Sequence, residues 1–422
     1  MEMYSTIFIY TYGILFHMGM LKEITYEYID SLRYVKNKIK RNIDIPETTD
    51  IVSIIGPRRV GKTFLMLNKA KELLDNEKQV IYISFDEPML LNIDVRKFAE
   101  LVRSEYPKDK VYLFLDEIQE WKNWDYNLRW LHDVKDFYIF ISGSSSTLQS
   151  SEIPSKLRGR YISELILPIS FREIINFEIK TFREKGKVLN LLENYIKWGG
   201  FPEIWIQKSR EKIISILESV FYRDIIERYK IKDIEIFKEI FYYILSNFSN
   251  RFTYNSIKDT VENLGIKIDT KTIIRYISYM RNSFLIFIIE PFYYSERKKI
   301  ISPKKIYNID VSFTNLFEQG INLGRKVENL VFIELLRKYK NIYYYITKSG
   351  KEIDFYVLDK KILIEVSLEN NEEDIKKLKE AMNELKINNG YIITWDYEDE
   401  IDLGNKKIKY IPLWKFLLLE HF

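Results

Sequence analysis

The sequence predicts an α/β fold: a parallel-sheet core followed by a helical lid, a winged helix and a small second α/β domain. Three observations carry this. The apolar run "IVSII" (51–55) leads through a glycine-bearing loop into the amphipathic stretch "TFLMLNKAKELL", and strand, loop and helix in that order are the unit of a parallel sheet. Further apolar runs near 80–85, 111–115, 137–142 and 161–167 alternate with helical periodicity. Beyond residue 168 helices dominate until strands return in the last hundred residues. A chain of 422 residues is also too long for one ordinary core.

Composition narrows the class. Hydrophobic residues are 46% and charged residues 30%, which suits a folded chain. The absence of cysteine excludes disulfides, thiolate metal sites and cysteine nucleophiles, and fits a cytoplasmic location. His17, His132 and His421 are far apart in sequence, against a histidine zinc site. A net charge of +4 permits nucleic-acid binding without arguing for it. The first twenty residues are apolar but lack a basic start and a small-residue cleavage site, so they do not read as a signal peptide. Rich in Thr, Tyr and Gly, they barely reach membrane-spanning length, and membrane anchoring is not expected. A natural start at Met18 or Met20, or an added strand, accounts for them better.

Gly56-Pro57-Arg58-Arg59-Val60-Gly61-Lys62-Thr63 fits G-x-x-x-x-G-K-[ST] at every fixed position, with Phe64 opening the helix. The glycines let backbone N–H groups curl around a β-phosphate, and the helix N-terminus adds its dipole. Lys62 reaches the β- and γ-phosphates, and the Thr63 hydroxyl is a magnesium ligand. The expected ligands are ATP and Mg2+.

The strand "VYLFL" ends in Asp116-Glu117. An acid beside the phosphate loop holds magnesium through water, the role expected of Asp116. Glu117, next to it, orients and deprotonates an attacking water. The following strand ends in Ser142 to Ser146, where Ser144, then Ser142, is the candidate to touch the γ-phosphate or the water; a plain helix cap is the rival. Arg158 and Arg160 precede the next strand, and Arg160 is read as an arginine finger, in cis or on a neighbour's nucleotide.

"GPRRVGKT", "LDEIQ", "SGSSSTL", "LRGR" and "LPISFREI", in this order, resemble the archaeal-type ATPases of the AAA class, P-loop NTPases with an additional catalytic glutamate. "WGGFPE" (198–203), "FYRDIIERY" (221–229) and "KIYNIDVSF" (305–313) extend the resemblance over nearly the whole chain from about residue 22. It implies an ATPase core, then a winged helix, then a restriction-endonuclease-like domain. The expected boundaries are an apolar extension 1–21, core 22–168, helical lid 169–235, winged helix 236–299 and endonuclease-like domain 300–422.

In the third segment Asp269 caps a helix on which Lys271, Thr272, Arg275 and Tyr276 are expected to face double-stranded DNA; use for protein contacts alone is the alternative. In the last segment Glu328, Asp354 and Glu365 are candidates for a second metal site of the endonuclease type. The active form of that fold has Glu-x-Lys, whereas here the triplet is Glu365-Val366-Ser367. Serine supplies no charge, so binding is expected ahead of cleavage unless Lys351 or Lys376 substitutes. The resulting expectation is a magnesium-dependent ATPase coupled to DNA- or protein-binding domains, with a homo-oligomer or a protein partner open. The rivals are an ATP-regulated nuclease and a slow, nucleotide-gated scaffold.

Overall fold

The computed structural model describes residues 9–11, 14–16, 19–35, 39–143, 157, 159–175, 177–263, 265–317, 322–369 and 371–420. The chain divides into two compact units, Met1–Ile166 and Leu167–Phe422. Among the described residues no helix is long and apolar enough to cross a membrane.

The first unit is built on five strands: β1 (Ile51–Ile55), β2 (Val80–Ser84), β3 (Val111–Asp116), β4 (Phe137–Ser142) and β5 (Tyr161–Leu165). All neighbours are parallel, in the order β2-β3-β4-β1-β5. Every residue of β1, β2 and β3 is buried, as strands covered on both faces must be, and this is why they read as unbroken apolar runs. Helix α1 (Met20–Ser31) lies beside the edge strand β2, and the Thr25 hydroxyl accepts the Tyr82 N–H at 3.0 Å. An otherwise open sheet edge is thereby covered. The N-terminus of α1 is held by Glu105, whose carboxylate accepts the Leu21 and Lys22 N–H groups at 2.9 and 3.0 Å, an anion where the helix dipole favours one. Helices α2 (Lys62–Asp75), α3 (Val95–Glu105) and α4 (Trp124–Val134) complete the unit. Upstream, Ile9–Thr11 and Ile14–Phe16 pair antiparallel with each other.

In the second unit helix α5 (Phe182–Trp198) shares one hydrophobic core with the C-terminal sheet: Val188 and Leu192 pack with Val331, Phe355 and Leu413. Helix Arg210–Ser219 runs into a π-helical stretch, Val220–Glu227, which is most of the "FYRDIIERY" segment. Helices α6 (Ile234–Ser246), α7 (Tyr254–Asn263) and α8 (Thr270–Asn282) follow. Strands β6 (Arg251–Phe252), β7 (Ile286–Ile289) and β8 (Lys304–Asn308) form an antiparallel sheet in the order β6-β8-β7, so this layer continues past residue 299. The last sheet is mixed, with strands β9 (Ile342–Ile346), β10 (Glu352–Val357), β11 (Ile362–Val366), β12 (Asn389–Thr394), β13 (Asp399–Asp402) and β14 (Lys407–Pro412) in the order β9-β10-β11-β12-β14-β13. Helices α9 (Leu323–Lys338) and α10 (Glu372–Leu385) pack on it.

"WGGFPE" and "KIYNIDVSF" meet here. Asp310, buried, accepts the Gly200 N–H at 2.7 Å. Gly199 has φ 67, and a Cβ there would lie 1.7 Å from Asp310 Oδ1. Only glycine fits this left-handed, closely approached position.

Candidate functional site

The phosphate loop spans the turn between β1 and α2. Gly56 has φ 149, and a Cβ on it would stand 2.4 Å from the Ile166 carbonyl oxygen; the loop can pass this close to the chain beyond β5 only without a side chain. Pro57 and Val60 are buried, Arg59 is exposed in the left-handed region, and Arg58 and Phe64 are half-buried. The Lys62 ammonium is buried within the loop and donates to the Gly56 and Pro57 carbonyls at 3.0 and 2.9 Å.

β3 brings its terminal acid to the same place. Asp116 Oδ2 accepts from the Thr63 hydroxyl and from the Tyr82 hydroxyl, each at 2.7 Å. Its Oδ1 accepts from the Ser142 hydroxyl and, at 3.0 Å, from the Glu117 N–H. Four groups thus fix one carboxylate, and parallel register explains the Ser142 contact: Leu115 stands opposite Ile141, so Asp116 and Ser142 end neighbouring strands side by side. Burial, with the Asp116 charge and hydrogen bond next, pushes the Tyr82 hydroxyl well above its usual pKa, so it acts as a donor. Burial and the Asp116 and Glu120 charges raise the neighbouring Asp86 carboxyl, against a smaller opposing effect of Arg58.

Glu117 takes a left-handed conformation, φ 47 and ψ 44, uncommon for a residue with a side chain. One of its carboxylate oxygens accepts from Gln119 Nε2 at 2.5 Å. This donor set of hydroxyl, carboxylates and buried ammonium at a helix N-terminus suits a magnesium-bound polyphosphate. Beside it, a cavity of about 390 Å³ is walled by Ile43, Ile45, Phe64, Leu65 and Asn68, with Arg41 on its rim. Arg41 is tied back to the loop through the Val60 carbonyl at 3.1 Å.

Not every expected site residue gathers here. Ser144 and Arg158 lie outside the described residues. Ser142, the second candidate, braces Asp116. Arg160 immediately precedes β5, where Tyr161 pairs with Ile51 at the start of β1. The loop follows Ile55 at the other end, roughly 16 Å away by strand rise. Arg160 is clamped instead by Asp133 at 3.0 and 3.4 Å, away from the loop of its own chain. Tyr276 does not face DNA either: it is buried, edge-to-face on Phe237 at 4.9 Å. Lys271 and Arg275 are exposed, and Asp269 caps their helix through the Thr272 N–H.

Glu328, Asp354 and Glu365 come near one another but do not form the expected metal set. Among the described residues no three acids or histidines are placed to hold a metal ion. The physical reason is ammonium. Lys305 Nζ lies 2.6 Å from Glu328 Oε1 and 3.2 Å from Asp354 Oδ1, while Lys377 Nζ lies 2.5 Å from Glu365 Oε1. The lysines considered from the sequence stand elsewhere, Lys351 against Glu373 and Lys376 against Glu372. Burial, with Asp354 next, raises the Glu328 carboxyl to about 7 and pushes Glu365 well above the carboxylate range. Lys377 carried a signal in its i+3 spacing from Asp374 on a helix, whereas Lys305, second of two lysines at the start of β8, carried none.

An AAA domain model matches residues 48–175, and two models of domains of unknown function, DUF8612 and DUF4143, match 189–322 and 323–416. The uncharacterized protein MJ1544 of Methanocaldococcus jannaschii is 34% identical over 428 residues, covering 94% of this chain and 96% of that one. An uncharacterized protein of Haemophilus influenzae is 26% identical over 397 residues, 90% of this chain and 97% of its own. Among solved structures, the Walker-type ATPase Paby2304 of Pyrococcus abyssi covers 69% of this chain and 94% of its own, at 15% identity and TM-score 0.37. AMPPCP-bound DnaA from Aquifex aeolicus covers 62% and 88%, at 16% identity and TM-score 0.25. With an AAA domain over its parallel core and end-to-end similarity to MJ1544, the chain belongs to the archaeal-type P-loop ATPases of the AAA class.

Proposed function

We propose that the protein is a magnesium-dependent ATPase of the cytoplasm whose nucleotide state is coupled to DNA contacts made by its second unit. The observation that carries this is the Thr63–Asp116 hydrogen bond, which joins the phosphate loop to the strand that presents Glu117. In this reading Gly56 to Thr63 wrap the phosphates, Lys62 neutralises the β- and γ-phosphates, and the base of the nucleotide enters the cavity beside Phe64. Thr63 and Asp116 would hold the magnesium ion, which would neutralise charge on the phosphates. Glu117 orients the water and takes its proton.

Arg160, at the far edge of its own sheet, fits a contact to a neighbouring copy better than one to its own nucleotide, and this favours a homo-oligomer. Residues 236–299, with β8 added beyond that boundary, are read as the winged helix, with Lys271, Thr272 and Arg275 toward double-stranded DNA. The test is steady-state ATP hydrolysis with Mg2+, measured alone and with duplex DNA, single-stranded DNA or RNA. Magnesium-dependent turnover raised by duplex DNA is expected. Turnover that no nucleic acid changes would favour the scaffold that recruits a protein partner, and no turnover would remove the enzyme.

A further inference from the structure

The roles proposed above for ATP hydrolysis use none of the buried charges of the second unit. In β8, Lys305 and Tyr307 point to one face, as residues two apart on a strand do, and both are buried. The Lys305 side chain is 2% exposed. Its ammonium meets three carboxyl groups, Glu328 at 2.6 Å, Glu352 at 2.7 Å and Asp354 at 3.2 Å. They come from α9 and β10, so a strand of one sheet places its charge among the acids of two other elements.

An ammonium has three N–H donors and no acceptor, and three carboxyl oxygens satisfy it. The acids are braced in turn. The Tyr307 hydroxyl donates to Glu328 at 2.7 Å, Arg251 holds Glu352 at 3.0 Å, and the Val366 N–H donates to Asp354 at 3.0 Å. The fourth nearby acid, Glu365, has its own ammonium in Lys377, which also meets Asp374 at 3.1 Å. Burial works against the charged form of Lys305, yet Tyr307, Glu328, Asp354 and Glu352 outweigh it and hold the ammonium well above the usual lysine range.

Oxygen-ligated divalent cations sit roughly 2.0–2.6 Å from each carboxylate oxygen. Three carboxyl oxygens ring Lys305 Nζ at 2.6, 2.7 and 3.2 Å, so with the ammonium in place they stand apart from one another and would have to close in on a metal. We propose that Lys305 is the resident cation of this cluster: its ammonium stands in the place of a divalent metal among Glu328, Glu352 and Asp354, and removing it creates a site for Mn2+ or Mg2+. The lysine does the electrostatic part of a metal's task, joining β8 to α9 and β10. It cannot supply a bound hydroxide, so the cluster has no nucleophile for phosphodiester cleavage. The inference is independent of the ATPase reading.

The test uses full-length, nucleotide-free protein freed of metal by chelator, with Mn2+ binding followed by electron paramagnetic resonance and by thermal unfolding. Lys305→Ala should bind one Mn2+ per chain and gain stability from it, and the added Asp354→Asn change should abolish both effects. Wild-type protein should take up no Mn2+ that Asp354→Asn removes. A wild-type Mn2+ site lost in Asp354→Asn would overturn the proposal, as would a folded Lys305→Ala protein that binds none. Should Lys305→Ala be unfolded in chelator, refolding by Mn2+ would support the proposal and failure to refold would overturn it.

Discussion

The Thr63 hydroxyl and the Tyr82 hydroxyl both donate to one oxygen of Asp116, each at 2.7 Å. One donor comes from the phosphate loop and the other from the neighbouring strand, so the acid is aimed from two sides. Tyr82→Phe removes the strand's donor while keeping the ring in the core. Partners of this kind typically change metal affinity or activity by roughly 10–100-fold. A Mg2+ titration of ATP hydrolysis should show a rise in the half-saturating concentration toward the lower end of that range, with thermal stability nearly unchanged. An unshifted titration would mean that Thr63 and Ser142 suffice.

Much of this site was legible in the sequence, and the reason is physical. A strand buried on both faces is an unbroken apolar run, so 51–55 and 111–116 stand out and their ends locate the loop and the acids. Tyr82 was not legible as a functional group because a tyrosine in such a run reads as core, and only sheet order places it beside Asp116. The place of Arg160 was readable in principle, since a residue just before a parallel strand lies at the edge away from the loop. Lys305 was hidden because two lysines before "IYNID" look like a linker, and only β8 pairing with β7 turns one inward.

Lys62 and Glu117 separate binding from chemistry. Lys62→Ala removes the loop's buried ammonium, and calorimetry should find tight ATP binding gone. Glu117→Gln keeps shape but loses the base, so ATP should bind while turnover falls by about 100-fold or more. Normal turnover in Glu117→Gln would place the base elsewhere.

Gly56→Ala tests the loop's backbone. Its Cβ would meet the Ile166 carbonyl at 2.4 Å in a conformation that side chains rarely adopt. Overpacking of this kind costs about 1–3 kcal/mol. The variant should unfold at lower denaturant concentration and bind ATP more weakly. A variant as stable as wild type would show that the loop and the chain after β5 can separate without cost.

Glu328 gives the protein a pH signature. Its folded-state pKa of about 7 lies above the ordinary 4.5, so the folded chain binds this proton more tightly than the unfolded chain. Its contribution to stability is therefore complete below pH 4.5 and is lost as pH rises through 7. A span of about 2.5 pH units sets a ceiling on the order of 3 kcal/mol. Glu328→Gln cannot ionise, so the wild-type-minus-variant difference in stability should shrink between pH 5 and pH 7.5, measured by urea unfolding at each pH. A difference that stays flat would mean that Lys305 keeps Glu328 ionised throughout.

The last prediction concerns α8. Lys271 and Arg275 are one turn apart and exposed, while Tyr276 lies on the buried side of the helix with Ile273, Ile277 and Met280. Arg275 also donates to the Thr272 hydroxyl at 2.9 Å, which orders its guanidinium. If the exposed side lies against duplex DNA, each cation that meets a phosphate releases counterions, and affinity falls with salt by a slope that counts those contacts. Lys271→Ala/Arg275→Ala should weaken duplex binding and lower the magnitude of that slope by about 2, with ATP hydrolysis in the absence of DNA unchanged. Fluorescence anisotropy of a labelled duplex at several salt concentrations provides the measurement. A weaker affinity with an unchanged slope would assign the two residues to base edges rather than phosphates. Unchanged affinity and slope would take DNA away from this helix and leave it to a protein partner.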